Sequence, residues 1–119
     1  MNMYRDLVIW HDSVYLIKEI YVLAETLPRS EEYILKQQLK RAVTSIALNI
    51  AEGKSRKTAK DFSNFLTIAV ASLSEVEAIL TICEELKMIK LEPEIREKIE
   101  ILGRKINALR NKLSGKDNK

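Results

Sequence analysis

Apolar residues recur at three- and four-residue steps along most of the chain, the spacing of amphipathic helices. Over about residues 7–27 one stripe runs Leu7, Trp10, Val14, Ile17, Tyr21, Ala24. A second runs beside it through Ile9, Leu16, Ile20, Leu23 and Leu27. Two adjacent stripes make an apolar face wider than a small bundle needs, and the surplus points to a partner chain. Pro28 ends this first helix, because the residue before a proline is pushed out of the α region. The second is expected over 31–53, with Ser30 as N-cap and Glu31 and Glu32 in the first turn, where carboxylates suit the helix dipole. Leu35, Leu39, Ala42, Ile46 and Ile50 form its buried stripe, and Gly53 is a natural stop.

A third helix follows a short basic turn, over about 58–87, with Thr58 and Asp61 placed as a capping box. Phe62, Phe65, Leu66, Ala69, Leu73, Val76, Leu80 and Cys83 would face inward, and Ile68, Ala71, Ile79 and Ile82 form a second flank. Pro93 suits the first turn of a fourth helix over 93–114, whose seam is Ile95, Ile99, Leu102, Ile106, Leu109 and Leu113. Gly103 within it marks a close helix contact, and the polar tail after Leu113 is expected to fray. Four helices with short links predict an all-α fold: one domain, residues 1–119, built as an antiparallel up-down-up-down four-helix bundle.

Composition sharpens this picture. With 119 residues, 46% hydrophobic and 31% charged, the chain is long enough to bury a core without staples and too apolar to stay disordered. Three glycines and two prolines are too few for a strand-and-turn architecture. One cysteine and one histidine preclude an internal disulfide and a tetrahedral zinc site of this chain's own, and a reduced cytoplasmic setting is expected. There is no signal-peptide core, and no apolar run approaches the roughly 20 residues needed to span a bilayer.

Catalytic chemistry finds little to stand on. His11 has Asp12 beside it in sequence, but helical neighbours point in different directions. Cys83 sits on the apolar seam as a small hydrophobe. No Glu-x-x-His pair and no glycine-rich phosphate loop occur, so no catalytic residue, metal or cofactor is assigned and no small-molecule substrate is expected.

Charge is more informative. The net +3 is unevenly spread: residues 28–57 and 90–119 carry +4 each, while 1–27 and 58–89 carry −2 and −3. Lys54, Arg56, Lys57 and Lys60 cluster at the turn between the second and third helices. Lys98, Lys105 and Lys112 repeat every seven residues on what should be the outer side of the fourth, with Arg104 and Arg110 near them. Such a stripe can neutralise phosphates. Interspersed Glu94, Glu97 and Glu100 leave an ordinary solvated helix face as the other reading. On the second helix Gln37, Arg41, Ser45 and Asn49 recur every four residues, followed by Glu52, and the third offers Ser72 and Glu75. A half-buried Arg41 would pair with Glu75 or Glu52, in a polar network that fixes helix register or a subunit contact.

The runs Gln38-Leu-Lys-Arg41 and Ser45-Ile-Ala-Leu-Asn49-Ile-Ala-Glu-Gly53 resemble the hallmark of the bacterial 23S rRNA intervening-sequence proteins. Asp6-Leu-Val-Ile-Trp10 is similar to that family's opening motif, Leu27-Pro28 with Glu32-Tyr33 to its first turn, and Phe62 through Glu77, including Ser72-Leu-Ser-Glu75, to its third helix. Lys40 replaces a frequent arginine and Leu48 a common proline. The resemblance implies a cytoplasmic bacterial four-helix bundle, encoded in some members within insertions of 23S rRNA genes. It implies a ring-like homo-oligomer, a pentamer, similar to the accessory proteins of diversity-generating retroelements, with rRNA or other nucleic acid as partner and no membrane. Arg41, Asn49, Glu52, Gly53 and Glu75 match motif positions and read as structural. The expected function is a non-enzymatic oligomeric bundle binding structured RNA or DNA through backbone phosphates. The alternative is a scaffold whose apolar flanks bind partner proteins.

Overall fold

The computed structural model describes residues 3–115. Four helices carry the fold: α1 (Val8–Ala24), α2 (Leu35–Lys54), α3 (Ala59–Glu85) and α4 (Pro93–Leu113). Single 3-10 turns at Tyr4–Asp6 and Arg29–Glu31 precede α1 and α2. Each helix packs on the next in sequence, and α4 closes back on α1, so α1 and α3 occupy diagonal corners. Side-chain registers give the directions. Ser45 meets Ser72 while Gly53 meets Phe62 and Phe65, so α2 and α3 run antiparallel. Lys98 with Glu19 and Lys105 with Asp12 do the same for α1 and α4. Arg96 with Glu84, and Gly103 with Leu73, do it for α3 and α4.

The core is a continuous apolar column. Ile9, Leu16, Ile20 and Ala24 of α1 meet Leu39, Val43, Ile46 and Ile50 of α2, with Leu66, Val76, Leu80 and Cys83 of α3 and Ile99, Leu102 and Ile106 of α4. Of the two stripes on α1, the one through Ile9, Leu16 and Ile20 is the core seam. Trp10 and Ile17 from the other are half-buried, and Tyr21 is exposed. On α3 the inward residues are buried as expected except Phe65, which is half-buried; Ile79 joins the core, and Ile68, Ala71 and Ile82 stay on the surface.

Helix ends depart from expectation in several places. α1 ends at Ala24 with Glu25 as its C-cap, three residues short of Leu27, so the helix has stopped before Pro28 could end it. α2 begins at Leu35, not 31: Ile34 (φ −121°, ψ −92°) breaks the chain out of helical geometry, so Ser30 caps nothing and Glu31 and Glu32 precede the helix. Gly53 does not stop α2. It lies buried inside the last turn, where the absent side chain lets α3 approach. Lys87, not a glycine, takes the left-handed φ of 59° after α3, and Met88 N–H reaches back to the Cys83 carbonyl at 2.9 Å. Thr58 does cap α3, its Oγ1 accepting from Asp61 N–H at 3.1 Å. The polar tail expected beyond Leu113 is described only as far as Gly115, and residues 116–119 lie outside the described residues.

By length and composition α3 alone, among the described residues, is apolar enough to cross a membrane, although fewer than half of its most apolar stretch is buried. This corrects the expectation that no run comes near that length: alanines, serines and threonines between the isoleucines and leucines extend a stretch with few charges.

Candidate nucleic-acid interface

Gly53 organises the basic turn. A Cβ there would lie 2.8 Å from Phe65 Cβ and 2.9 Å from Phe62 Cδ1, so only glycine allows the two helix ends to meet this closely. The two rings so held become platforms for cations. Lys54 Nζ lies 5.7 Å from the Phe62 ring centroid, and the Arg56 guanidinium 4.7 Å from that of Phe65. Arg56 is also tied to Glu52 at 2.8 Å. Lys57 and Lys60 are exposed, and neither meets a carboxylate among the described residues. The antiparallel arrangement brings the last turn of α4, with Arg110 and exposed Lys112, to this same end of the bundle, along with the 3-10 turn that carries Arg5.

The stripe on α4 is placed differently from its sequence reading. Lys98 and Lys105 are exposed, as expected, but reach across to α1, bound to Glu19 at 2.6 Å and Asp12 at 2.9 Å. Arg104 is held by Glu100 on its own helix at 3.0 Å, and Arg110 donates to Asn107 Oδ1 at 2.6 Å while its Nε is buried without a partner. Of the stripe only Lys112 is both exposed and unpaired among the described residues. The signal was present in the sequence: Asp12 and Glu19 share the seven-residue spacing of Lys98 and Lys105.

The expected polar network is smaller than its sequence reading. Ser45 and Ser72 hydroxyls are 2.9 Å apart, and Asn49 Nδ2 donates to Ser45 Oγ at 2.9 Å and to its carbonyl at 2.8 Å. Arg41 is not part of it. Its side chain is exposed and pairs with neither Glu75, itself exposed, nor Glu52, which Arg56 occupies. Two ion clusters went unread in the sequence. Arg96 bridges Glu77 and Glu84, clasping α4 to α3. Lys36, nearly buried, bridges Glu25 and Glu32 at the far end of the bundle. Hydrogen bonding from Lys36 holds the Glu25 carboxyl below its ordinary pKa, and the same contact raises Lys36.

His11 and Cys83, the two side chains weighed for catalysis, take structural positions. His11 Nε2 sits 2.6 Å from the Arg5 carbonyl and its ring packs edge-on to Trp10, so it fastens the N-terminal turn. Burial pushes the Cys83 thiol up, away from a reactive thiolate. Among the described residues no three His, Cys, Asp or Glu side chains gather to hold a metal. A groove of about 360 Å³ between α1 and α4 is floored by Leu16 and Leu102, but its only charges are the two ion pairs that already satisfy one another.

Residues 5–113 match the family described as 23S rRNA-intervening sequence protein. Among solved structures, a protein of unknown function from the S23 ribosomal protein family of Bacteroides thetaiotaomicron superposes with a TM-score of 0.70 at 28% identity, over 89% of this chain and 97% of that one. No curated protein matches.

Proposed function

The chain belongs to the 23S rRNA-intervening sequence protein family, and we propose that it is a non-enzymatic bundle that binds structured RNA or other nucleic acid through backbone phosphates. The observation that carries this reading is the partition of cations. Those along α4 are mostly neutralised by carboxylates, whereas Lys57 and Lys60 stand exposed and, among the described residues, unpaired at one end, with Lys54 and Arg56 laid on aromatic rings beside them. Phe62 is buried and Phe65 is covered by Arg56, so neither of these two rings is offered for base stacking. Recognition at this turn is therefore of phosphate and shape. The amides at the N-terminus of α3 add partial positive charge there. Assembly into a homo-oligomer would set several such ends side by side, and modest contacts per chain then sum by avidity. The single thiol, unpaired and buried, fits a reducing cytoplasm. The exposed apolar corners of α1 and α3 favour a second reading, a scaffold for partner proteins that makes no use of nucleic acid.

Fluorescence anisotropy against a labelled RNA hairpin and a DNA duplex, each at several salt concentrations, tests the proposal. Lys57→Ala with Lys60→Ala should weaken binding to both and flatten the salt dependence by about 2 units of logarithmic slope, about 1 per lost phosphate contact. Lys98→Ala with Lys105→Ala should leave the slope near that of the native chain. Absence of salt-dependent binding at low ionic strength, or a larger effect from the α4 pair, defeats the reading.

A further inference from the structure

One corner of the phosphate-binding end is aromatic. The 3-10 turn at Tyr4–Asp6 packs on both α1 and α2, and there Tyr4, Trp10 and His11 form a chain of rings. Centroids lie 5.0 Å apart for Tyr4 and Trp10 and 5.2 Å apart for Trp10 and His11, at interplanar angles of 68° and 83°. Both contacts are edge to face, so together they cover at most one face each and leave the other faces of the cluster unstacked. His11 is exposed but held: its Nε2–H donates to the Arg5 carbonyl at 2.6 Å, and Nδ1 of the neutral ring remains an acceptor with no partner among the described residues. The turn is itself fastened, Asp6 N–H to the Met3 carbonyl and Leu7 N–H to the Tyr4 carbonyl, both at 3.0 Å.

The remaining rings of the chain are placed otherwise. Phe62 is buried and Arg56 covers Phe65. Lys18 lies over Tyr15 at 5.5 Å and Lys40 over Tyr21 at 4.9 Å, while Tyr33, just ahead of α2, belongs to the opposite end of the bundle. The charges at the aromatic corner also suit an anion. Arg5 is exposed and in no ion pair among the described residues. Of the acids near it, Asp6 accepts from the Met3 N–H at 3.4 Å and Asp12 is bound to Lys105.

We infer that this corner takes an unpaired base of the bound RNA, stacked against Tyr4 and His11, with Arg5 meeting its phosphate. The inference rests on the phosphate-binding reading and narrows its ligand to RNA with a single-stranded loop or bulge beside a stem, in place of a continuous duplex. Bases inside a duplex are stacked on one another, whereas an unpaired base can be splayed out onto an aromatic side chain. The rings are already held in place, so stacking on them orders few side chains. The corner and the α2–α3 turn share one end of a body 26 by 19 Å across, a gap that a short single strand spans.

Trp10 is the only tryptophan of the chain and touches both other rings, so its emission reports a base arriving there. The test titrates the full chain with two RNAs carrying the same number of phosphates, a hairpin with an unpaired loop and a blunt duplex. Binding is followed by the anisotropy of a label on the RNA, and stacking by Trp10 fluorescence. The hairpin should quench Trp10 and bind at least about fivefold tighter, whereas the duplex should bind through phosphates with Trp10 emission unchanged. Tyr4→Leu, which keeps an apolar side chain and removes the ring, should lose that advantage and leave duplex affinity as it was; Tyr4→Phe should keep it. Tyr4 lies outside the four helices and the buried core, so an unchanged circular-dichroism melt shows that both variants are folded. Lys57→Ala with Lys60→Ala should weaken both RNAs and leave the hairpin's advantage intact. Equal affinity for the two RNAs with Trp10 emission unmoved overturns the inference and leaves phosphate binding standing. A Tyr4→Leu chain that binds the hairpin as the native one does has the same meaning. Binding to neither RNA at low salt overturns both.

Discussion

Gly53 and Gly103 are both glycines inside helices, and replacing each with alanine should move stability in opposite directions. Helical propensity alone favours alanine by about 1 kcal/mol at either position. At Gly103 the new methyl would meet only Leu73 Cδ2, at 3.4 Å, an ordinary contact that a flexible side-chain end can relieve. Most of the propensity gain should survive, so Gly103→Ala is expected to be neutral to about 1 kcal/mol more stable. At Gly53 the methyl would sit 2.8 Å from Phe65 Cβ, 2.9 Å from Phe62 Cδ1 and 3.3 Å from the Phe62 carbonyl oxygen. Two of those atoms are backbone or anchored directly to it, and rotamer changes cannot move them. The ends of α2 and α3 must part instead, and with two contacts under 3.0 Å the overpacking cost falls in the upper part of the usual range, about 2–3 kcal/mol. Against the propensity gain, Gly53→Ala should lose about 1–2 kcal/mol, which for a chain of this size is a melting temperature lower by about 3–10 °C. Urea unfolding followed by circular dichroism gives the ranking. A Gly53→Ala protein as stable as the native chain would show that the tight approach does not constrain the bundle, and that something other than glycine's missing side chain sets the positions of Phe62 and Phe65.

Two further predictions concern polar contacts. Ser45→Ala removes the shared partner of Ser72 and Asn49 and should cost about 1–2 kcal/mol, while Ser72→Ala should cost about 1 kcal/mol. The double variant should lose less than the two single losses together, since both remove the same bond; strict additivity in urea unfolding would mean the three side chains do not act as a unit. The Glu25–Lys36 contact sets a pH window. Glu25 is depressed in the folded chain, so its contribution is present above its ordinary value of 4.5 and lost as pH falls through the lower folded value. Lys36 is raised, so its contribution holds below 10.5 and is lost as pH rises through the higher folded value. Glu25→Gln should therefore flatten the fall in stability on the acid side; a native-like acid limb in that variant would assign the acid sensitivity to other carboxylates.

The helices were legible because period and burial share one cause: residues three and four apart lie on one face, and the faces that read as apolar are those that closed the core. Ambiguity arose where a helix carried two apolar stripes. Nothing in the spacing of α1 tells whether Trp10 and Ile17 or Leu16 and Ile20 face inward, because that depends on the angle at which α2 and α4 arrive. Glycine was misread for a related reason. In sequence Gly53 looks like a terminator, since local conformation is all a sequence shows directly. Its role is tertiary, set by Phe62 and Phe65 nine and twelve residues later. Conversely Gly103, which invites a close-contact reading, sits in ordinary packing.

The cations show the same limit and its consequence for function. Counted by charge, α4 is as basic as the α2–α3 turn. What separates them is whether an acid lies within reach on the neighbouring helix, which only the antiparallel pairing of α1 with α4 decides. Lys98 and Lys105 meet Glu19 and Asp12 because both pairs keep a seven-residue repeat on facing helices. Freeing either lysine for a phosphate would leave an acid beside the incoming phosphate, so that face is a poor docking surface even though it is rich in lysine. The turn is less encumbered: Glu52 engages Arg56, and although Asp61 lies exposed beside Lys60, neither Lys57 nor Lys60 is held in an ion pair among the described residues. Any anion that approaches this bundle therefore meets least resistance end-on, along the helix axes.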